Sequence, residues 1–267
     1  MTDLDESALR DIFDRQMRPD VPDPVPAGGL VERDGPLVRV RGLAPRGFVT
    51  YRDLAGADVD ALIRREVAHF TEVGEPVEWK LYGHDEPADL PERLRQAGFE
   101  PEEQETVLVG PVAALAATQP VLPDGVRLRE MTALRDLERI AAMESTVWAT
   151  DLGAKATALA REIEAGPDAI TVVGAEAGDE VVSAAWIRYA KGTSFGTLWG
   201  GATLPGWRGK GIYRALVVYR AKLAAARGYT LLQVDASEDS RPILERMGFV
   251  AVATTTPYVF TPGGTGG

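Results

Sequence analysis

Apolar residues recur along this chain in two rhythms, one near 3.6 residues and one of two. Between Asp3 and Arg18, Leu4, Leu9, Ile12 and Phe13 fall at helical spacing, and the pattern breaks in the run Arg18-Pro19-Asp20-Val21-Pro22-Asp23-Pro24. That proline-rich piece reads as an extended connector. Strand-like runs follow at Leu37–Val40 and Phe48–Arg52. Val59, Leu62, Ile63, Val67 and Phe70 then share one face of a helix predicted over 57–71. A strand at Val77–Tyr82, a short helix at Leu90–Gln96 and a strand at Glu105–Val109 come next. Alanine, threonine and proline between Pro111 and Pro123 predict a linker, and Val126–Met131 opens a second half. There the apolar run Phe195–Trp199 predicts a strand, Ile212–Arg227 a helix, Tyr229–Asp235 a strand and Pro257–Phe260 another.

The two halves echo one another. Leu94-Arg95-Gln96-Ala97-Gly98-Phe99 aligns with Leu244-Glu245-Arg246-Met247-Gly248-Phe249, each between two predicted strands. An acidic turn, Asp85-Glu86-Pro87, sits near where Glu238-Asp239-Ser240 lies in the second copy. A helix ending in Gly-Phe is a common stop, because glycine takes the left-handed position beyond the last turn. The shared strand–helix–strand order points further, to two tandem units of one design.

Composition changes the picture mainly by exclusion. The 267 residues are 45% hydrophobic and 26% charged, as in a soluble globular protein of one large or two ordinary domains. No apolar run approaches a membrane span, and the acidic start, Met1 to Glu6, does not read as a signal peptide, so cytoplasm is the expected compartment. Cysteine is absent, which removes disulfides, thiolate metal sites and a cysteine nucleophile, and with two distant histidines, His69 and His84, no metal is expected. The net charge of −11 disfavours nucleic acid and suits a cationic partner.

Candidate chemistry concentrates in Thr203-Leu204-Pro205-Gly206-Trp207-Arg208-Gly209-Lys210-Gly211-Ile212-Tyr213. Strand, glycine-rich turn, then helix is the layout of an anion site, with successive amides and the helix N-terminus aimed at one guest. It is not a P-loop, since Lys210 is followed by Gly211, nor a dinucleotide fingerprint, which would need glycine at Arg214. The run Arg208-Gly209-Lys210-Gly211-Ile212-Tyr213, with Pro205 ahead of it and the Leu244–Phe249 ending behind, resembles the coenzyme A loop of the GNAT (GCN5-related) N-acetyltransferases over roughly residues 126–260.

The resemblance implies an α/β (α+β) fold of two tandem GNAT-like domains, each a mixed, mostly antiparallel sheet flanked by helices, the C-terminal one complete. The expected layout is a helix and connector over 1–26, a degenerate GNAT-like domain over 27–115, a linker over 116–125, the acetyltransferase domain over 126–262 and a disordered tail over 263–267. The first half has no Arg-x-x-Gly loop between Tyr51 and Glu78, so it is not expected to bind coenzyme A.

By the same resemblance, amides of residues 209–213 hold the pyrophosphate of acetyl-CoA, Arg208 and Lys210 add charge, and Gly209 and Gly211 admit close backbone approach. Tyr213 replaces the family's Gly/Ala, and a side chain there either packs along the cofactor or narrows the site. Gly200-Gly201 marks a bulge or a close approach where the family's fourth and fifth strands splay. Main-chain groups of Ala202, Thr203 and Leu204 are expected to bond the pantetheine, with Ser237 and Ser240 as further cofactor contacts.

The implied reaction is transfer of an acetyl group to the primary amine of a small, cationic acceptor. Carboxylates placed to take its proton are Glu144, Asp151, Asp235 and Glu238, with Glu144 and Asp151 preferred; the alternative for each is a solvated surface acid. Trp148 and Trp199 are expected to line the acceptor pocket. Leu244 stands where many members carry the tyrosine that protonates the thiolate, and Ser237 where they carry asparagine. Tyr258 and Tyr213 are the substitute donors. Those two departures keep open a non-catalytic coenzyme A-binding or interaction module, and a protein lysine acetyltransferase is a third reading. Monomer and homodimer both remain compatible.

Overall fold

The computed structural model describes residues 5–18, 29–43 and 45–263. The proline connector, Leu4 and all but the first residue of the expected tail lie outside them. In chain order the elements are α1 (Glu6–Gln16), β1 (Leu30–Asp34), β2 (Leu37–Arg41), β3 (Gly47–Thr50), α2 (Val59–Val73), β4 (Val77–Tyr82), α3 (Leu90–Gln96), β5 (Glu100–Pro101), β6 (Glu105–Pro111) and α4 (Val112–Ala116). After them come β7 (Val126–Glu130), α5 (Leu134–Trp148), α6 (Gly153–Ala165), β8 (Ile170–Ala177), β9 (Glu180–Tyr189), β10 (Phe195–Thr203), a 3-10 turn (Pro205–Trp207), α7 (Ile212–Ala226), β11 (Leu231–Ala236), α8 (Arg241–Arg246) and β12 (Val250–Phe260). The chain forms two compact units: Met1–Leu108 with Asp235–Pro242 and Val250–Gly267, and Val109–Val234 with Ile243–Phe249.

In the first unit β1, β2 and β3 are antiparallel neighbours, β3 runs parallel to β4, and β4 is antiparallel to β12. The strand Val250–Phe260, expected within a domain spanning 126–262, therefore groups with the N-terminal elements, in register from Thr255↔Tyr82 to Phe260↔Val77. Helix α2 forms where predicted: Asp58 caps it by accepting from the Ala61 amide at 2.9 Å, and Gly74, at φ +70°, ends it. Its apolar stripe, Val59, Leu62, Ile63 and Phe70, is buried beside Trp79, Leu94 and Phe99.

In the second unit β7, β8, β9 and β10 form an antiparallel meander, and β11 joins β10 in parallel. Helices α5 and α6 pack over Val172, Ala184, Trp186 and Ala202, while Ile212 and Leu216 of α7 pack with Val173, Val182 and Ala185. The segment read as a linker begins with a helix, α4, because Val112 and Leu115 are both 2% exposed and fasten it to the unit's core.

The echo between the halves is structural. Phe99 donates to Leu94 O at 3.0 Å and Phe249 to Leu244 O at 3.1 Å, around Gly98 at φ +90° and Gly248 at φ +94°. Both helices thus close with the same left-handed glycine and the same buried leucine and phenylalanine.

Candidate active site

Strand β10 pairs with β11 only from Phe195↔Leu231 to Thr197↔Gln233, yet it continues to Thr203. Beyond Thr197 it keeps its antiparallel partner β9, with a register shift between Gly200 and Ala202. Gly200 at φ +72° and Gly201 at φ +95° make this bulge. Both must be glycine: a Cβ on Gly200 would come within 2.6 Å of the Trp186 ring, and one on Gly201 within 2.8 Å of the Tyr213 ring. Tyr213 thus packs against the bulge.

The main chain here is partly engaged. Leu204 N–H donates to Val182 O at 2.9 Å, Ser183 Oγ donates to Ala202 O at 2.7 Å, and Arg208 Nε donates to Thr203 O at 3.1 Å. The Leu204 amide, expected to meet pantetheine, is therefore bound to β9, and the Arg208 contact closes the turn instead of leaving the whole guanidinium to a ligand.

The loop then opens. Arg208, Gly209 and Lys210 are exposed, and Lys210 Nζ lies 4.6 Å from the centre of the Trp207 ring. Among the described residues, no atom apart from Gly209 and its two chain neighbours lies within 4 Å of where a Gly209 Cβ would stand. Gly211, at φ +83°, begins α7 with no side-chain cap among the described residues, and the first rung of the helix is Ala215 N–H to Gly211 O at 3.0 Å. The amides of 212–214 precede that rung, so the helix offers its positive end through glycine. Ile212, 1% exposed, anchors the first turn.

On the face covered by α5 and α6, Trp148 is 62% and Trp199 46% exposed, large areas for tryptophan. Trp199 Nε1 donates to Thr197 Oγ1 at 2.7 Å, and the Arg188 guanidinium stacks 4.7 Å from its ring centre. Trp186, its cross-strand partner, is buried with no hydrogen-bond partner for its indole nitrogen among the described residues. The two preferred carboxylates differ. Glu144 is buried and bonded to Lys155 Nζ at 2.7 Å, neither a free base nor a solvated surface acid. Asp151 is exposed and accepts from the Gly153 amide at 2.9 Å, at the start of α6.

The remaining site residues belong to the first unit. Asp235, Ser237, Glu238 and Ser240 follow from the end of β11; Asp235 pairs with Lys80 at 2.5 Å, and the two serine hydroxyls are 3.4 Å apart. Tyr258 is buried in that unit's apolar core, with the Arg95 guanidinium 5.6 Å from its ring centre. Sequence reasoning did not single out Arg220 of α7, which donates to Trp186 O at 3.1 Å and to Trp199 O at 3.2 Å. Its signal was there: a charge four residues from both Leu216 and Ala224, on the helix's buried side.

Residues 135–249 match the Acetyltransferase (GNAT) family. No curated protein matches the chain. Among solved structures, a GCN5-related N-acetyltransferase from Kribbella flavida superposes with a TM-score of 0.68 at 17% identity, covering 97% of this chain and 96% of that one. A tandem GNAT protein from the clavulanic acid biosynthesis pathway gives a TM-score of 0.64 at 13% identity, over 98% and 97% of the two chains. A functionally unknown conserved protein from Staphylococcus epidermidis gives 0.61 at 13%, over 88% and 94%. At such identities the structural likeness is one of fold. Together with the sequence match and the loop, it gives one conclusion: residues 135–249 are similar in sequence to the GNAT acetyltransferases, and the chain has the fold of GCN5-related N-acetyltransferases.

Proposed function

We propose that the protein is an acyl-CoA-dependent N-acyltransferase that moves an acetyl group from acetyl-CoA to a primary amine of a small, cationic molecule. One observation carries the reading: within a single unit, a parallel strand pair stops pairing after Thr197↔Gln233, and an uncapped helix N-terminus follows through Arg208-Gly209-Lys210-Gly211. Amides of 209–213 suit a pyrophosphate, Arg208 and Lys210 add charge, and the open space beside Gly209 lets phosphate approach the backbone. Acetyl-CoA supplies the activated thioester. The chain orients it, offers main-chain donors at the glycine bulge to the thioester oxygen and holds the amine on line.

On the acceptor side, the exposed rings of Trp148 and Trp199 provide packing area, and Asp151 attracts the ammonium; one proton leaves to bulk water to free the amine lone pair, and Asp151 takes the second as the C–N bond forms and the C–S bond breaks. Glu144 serves to fix Lys155. Leu244 is fully buried and donates nothing, so the thiolate takes its proton from solvent, tolerable for a thiol with a pKa of about 8.5. Calorimetric titration with acetyl-CoA and free coenzyme A, followed by thiol release over a panel of amines, tests the reading. Micromolar binding with turnover is expected. Arg208→Ala should weaken acetyl-CoA binding by about 10-fold, or about 1.4 kcal/mol, and unchanged affinity would remove the loop from the site.

A second reading, a coenzyme A-binding module without catalysis, draws on Leu244 and on the engaged Glu144. Binding with no turnover on any amine would favour it.

A further inference from the structure

Helix α7 buries a charge where its neighbours are apolar. Leu216, Val217, Ala221 and Ala224 are buried around Arg220, which is itself 2% exposed. Its hydrogen-bond partners are three main-chain carbonyls, those of Leu216 at 3.1 Å, Trp186 at 3.1 Å and Trp199 at 3.2 Å. No carboxylate pairs with it among the described residues. Burial pulls its pKa down to about 10, so it stays charged at neutral pH. A buried cation without a counter-ion is costly, and an apolar side chain would serve packing better.

Trp199 explains the exception. Its carbonyl belongs to the peptide whose N–H is that of Gly200, the first residue of the bulge. A cation donating to an amide oxygen draws electron density across that amide and strengthens the N–H at its other end. It also fixes the plane of a peptide flanked by a glycine with few backbone restraints of its own.

We propose that Arg220 is a positioning residue for acyl transfer, clamping and polarising the Trp199–Gly200 peptide so that the bulge stabilises charge developing on the thioester oxygen. The inference rests on the acetyl-CoA reading of this unit. It differs from a packing role because its effect falls on the transition state and on the thioester carbonyl, not on coenzyme A affinity.

The test uses the full chain, with Arg220→Met and Arg220→Lys. In Arg220→Met, kcat should fall by about 10- to 100-fold with KM for acetyl-CoA within about 3-fold. The infrared carbonyl stretch of bound acetyl-CoA labelled with 13C at the thioester carbon should be lowered in the wild type and return towards its free value in Arg220→Met. Arg220→Lys, which keeps the charge, should recover part of both effects and stands in where the methionine variant fails to fold. Wild-type kcat and carbonyl frequency in a folded variant would overturn the role of Arg220 alone. A wild-type protein that binds no acetyl-CoA would overturn the underlying reading, and this inference with it.

Discussion

Each unit contains a parallel strand pair that holds register for three residue pairs and is followed by a helix, and the two differ in what comes after the pairing ends. In the second unit β10 runs on through Gly200 and Gly201, and α7 begins at a glycine with no side-chain cap. In the first unit β3 and β4 pair from Gly47↔Val77 to Val49↔Trp79, and beyond them stand Tyr51 and Tyr82. The Arg18 guanidinium lies 5.4 Å and 4.6 Å from the centres of those two rings and pairs with Asp85. Asp85 also accepts from Tyr51 Oη at 2.6 Å and from the Tyr82 amide at 2.8 Å. Helix α2 begins with the carboxylate of Asp58 accepting from the Ala61 amide, where a phosphate would need to sit. Shared topology therefore does not make a shared site. Glycine leaves one strand end and helix N-terminus open to an anion, whereas aromatic rings, an ion pair and an acidic cap fill the other with the protein's own groups.

The largest effect should come from emptying the filled side. Asp85→Ala takes from Arg18, 4% exposed, its closer carboxylate and leaves it the Asp14 carboxylate at 3.8 Å, and it strips a partner from Tyr51 and from the Tyr82 amide. Breaking a buried pair in this way costs about 3–5 kcal/mol, to be read from urea unfolding of the full chain. A loss below about 1 kcal/mol would mean that Asp85 does not hold Arg18 in place. Next in size is to make the open side resemble the filled one. Gly211→Asp gives α7 the acidic start of α2, and on the proposed reading its carboxylate would compete with pyrophosphate for the same amides. Acetyl-CoA affinity should fall by about 100-fold, near 2.7 kcal/mol, while left-handed strain and a Cβ placed 3.2 Å from Val121 O cost folding about 1–3 kcal/mol. Titration calorimetry reads the first and thermal unfolding the second; unchanged affinity would detach the helix N-terminus from the ligand.

This contrast was half legible in the sequence. The open side was readable because glycine pairs and the Arg-x-x-Gly spacing are local signals, and β4 and α3 form over the residues that periodicity picked out. The filled side was not, because Arg18 meets Asp85 and two tyrosines across more than thirty intervening residues, and no spacing rule connects them. The same holds for Glu144, which pairs with Lys155 across the α5–α6 turn, and for Arg220, whose partners are carbonyls that every residue possesses. Helix α4 escaped for another reason: five residues are too few to display a helical period, and only burial of Val112 and Leu115 reveals its face.

The smallest effect concerns acid and base, where the units should also part. In the second, hydrogen bonds from Arg129 hold the carboxyls of Glu176 and Asp136 down at about 2 each, with Arg139 assisting. Unfolding returns them to ordinary values near 4, so the unfolded chain binds protons first, and this stabilisation is present above that range and lost as pH falls towards 2. In the first, desolvation and then the charge of Asp235 raise Glu105 to about 7. Its sign is opposite: between about 4.5 and 7 the folded state keeps a proton that the unfolded state has released, so stability declines as pH rises through that window and is level above it. Glu105→Gln removes the group and should flatten that decline. Discounted for partial exposure, the gain at pH 8 relative to pH 5 is about 1 kcal/mol, or about 2–4 °C in Tm. Scanning calorimetry of both proteins at the two pH values measures it. An identical pH dependence in the variant would show that Glu105 ionises normally, and the acid limb set by Glu176 and Asp136 should persist in either case.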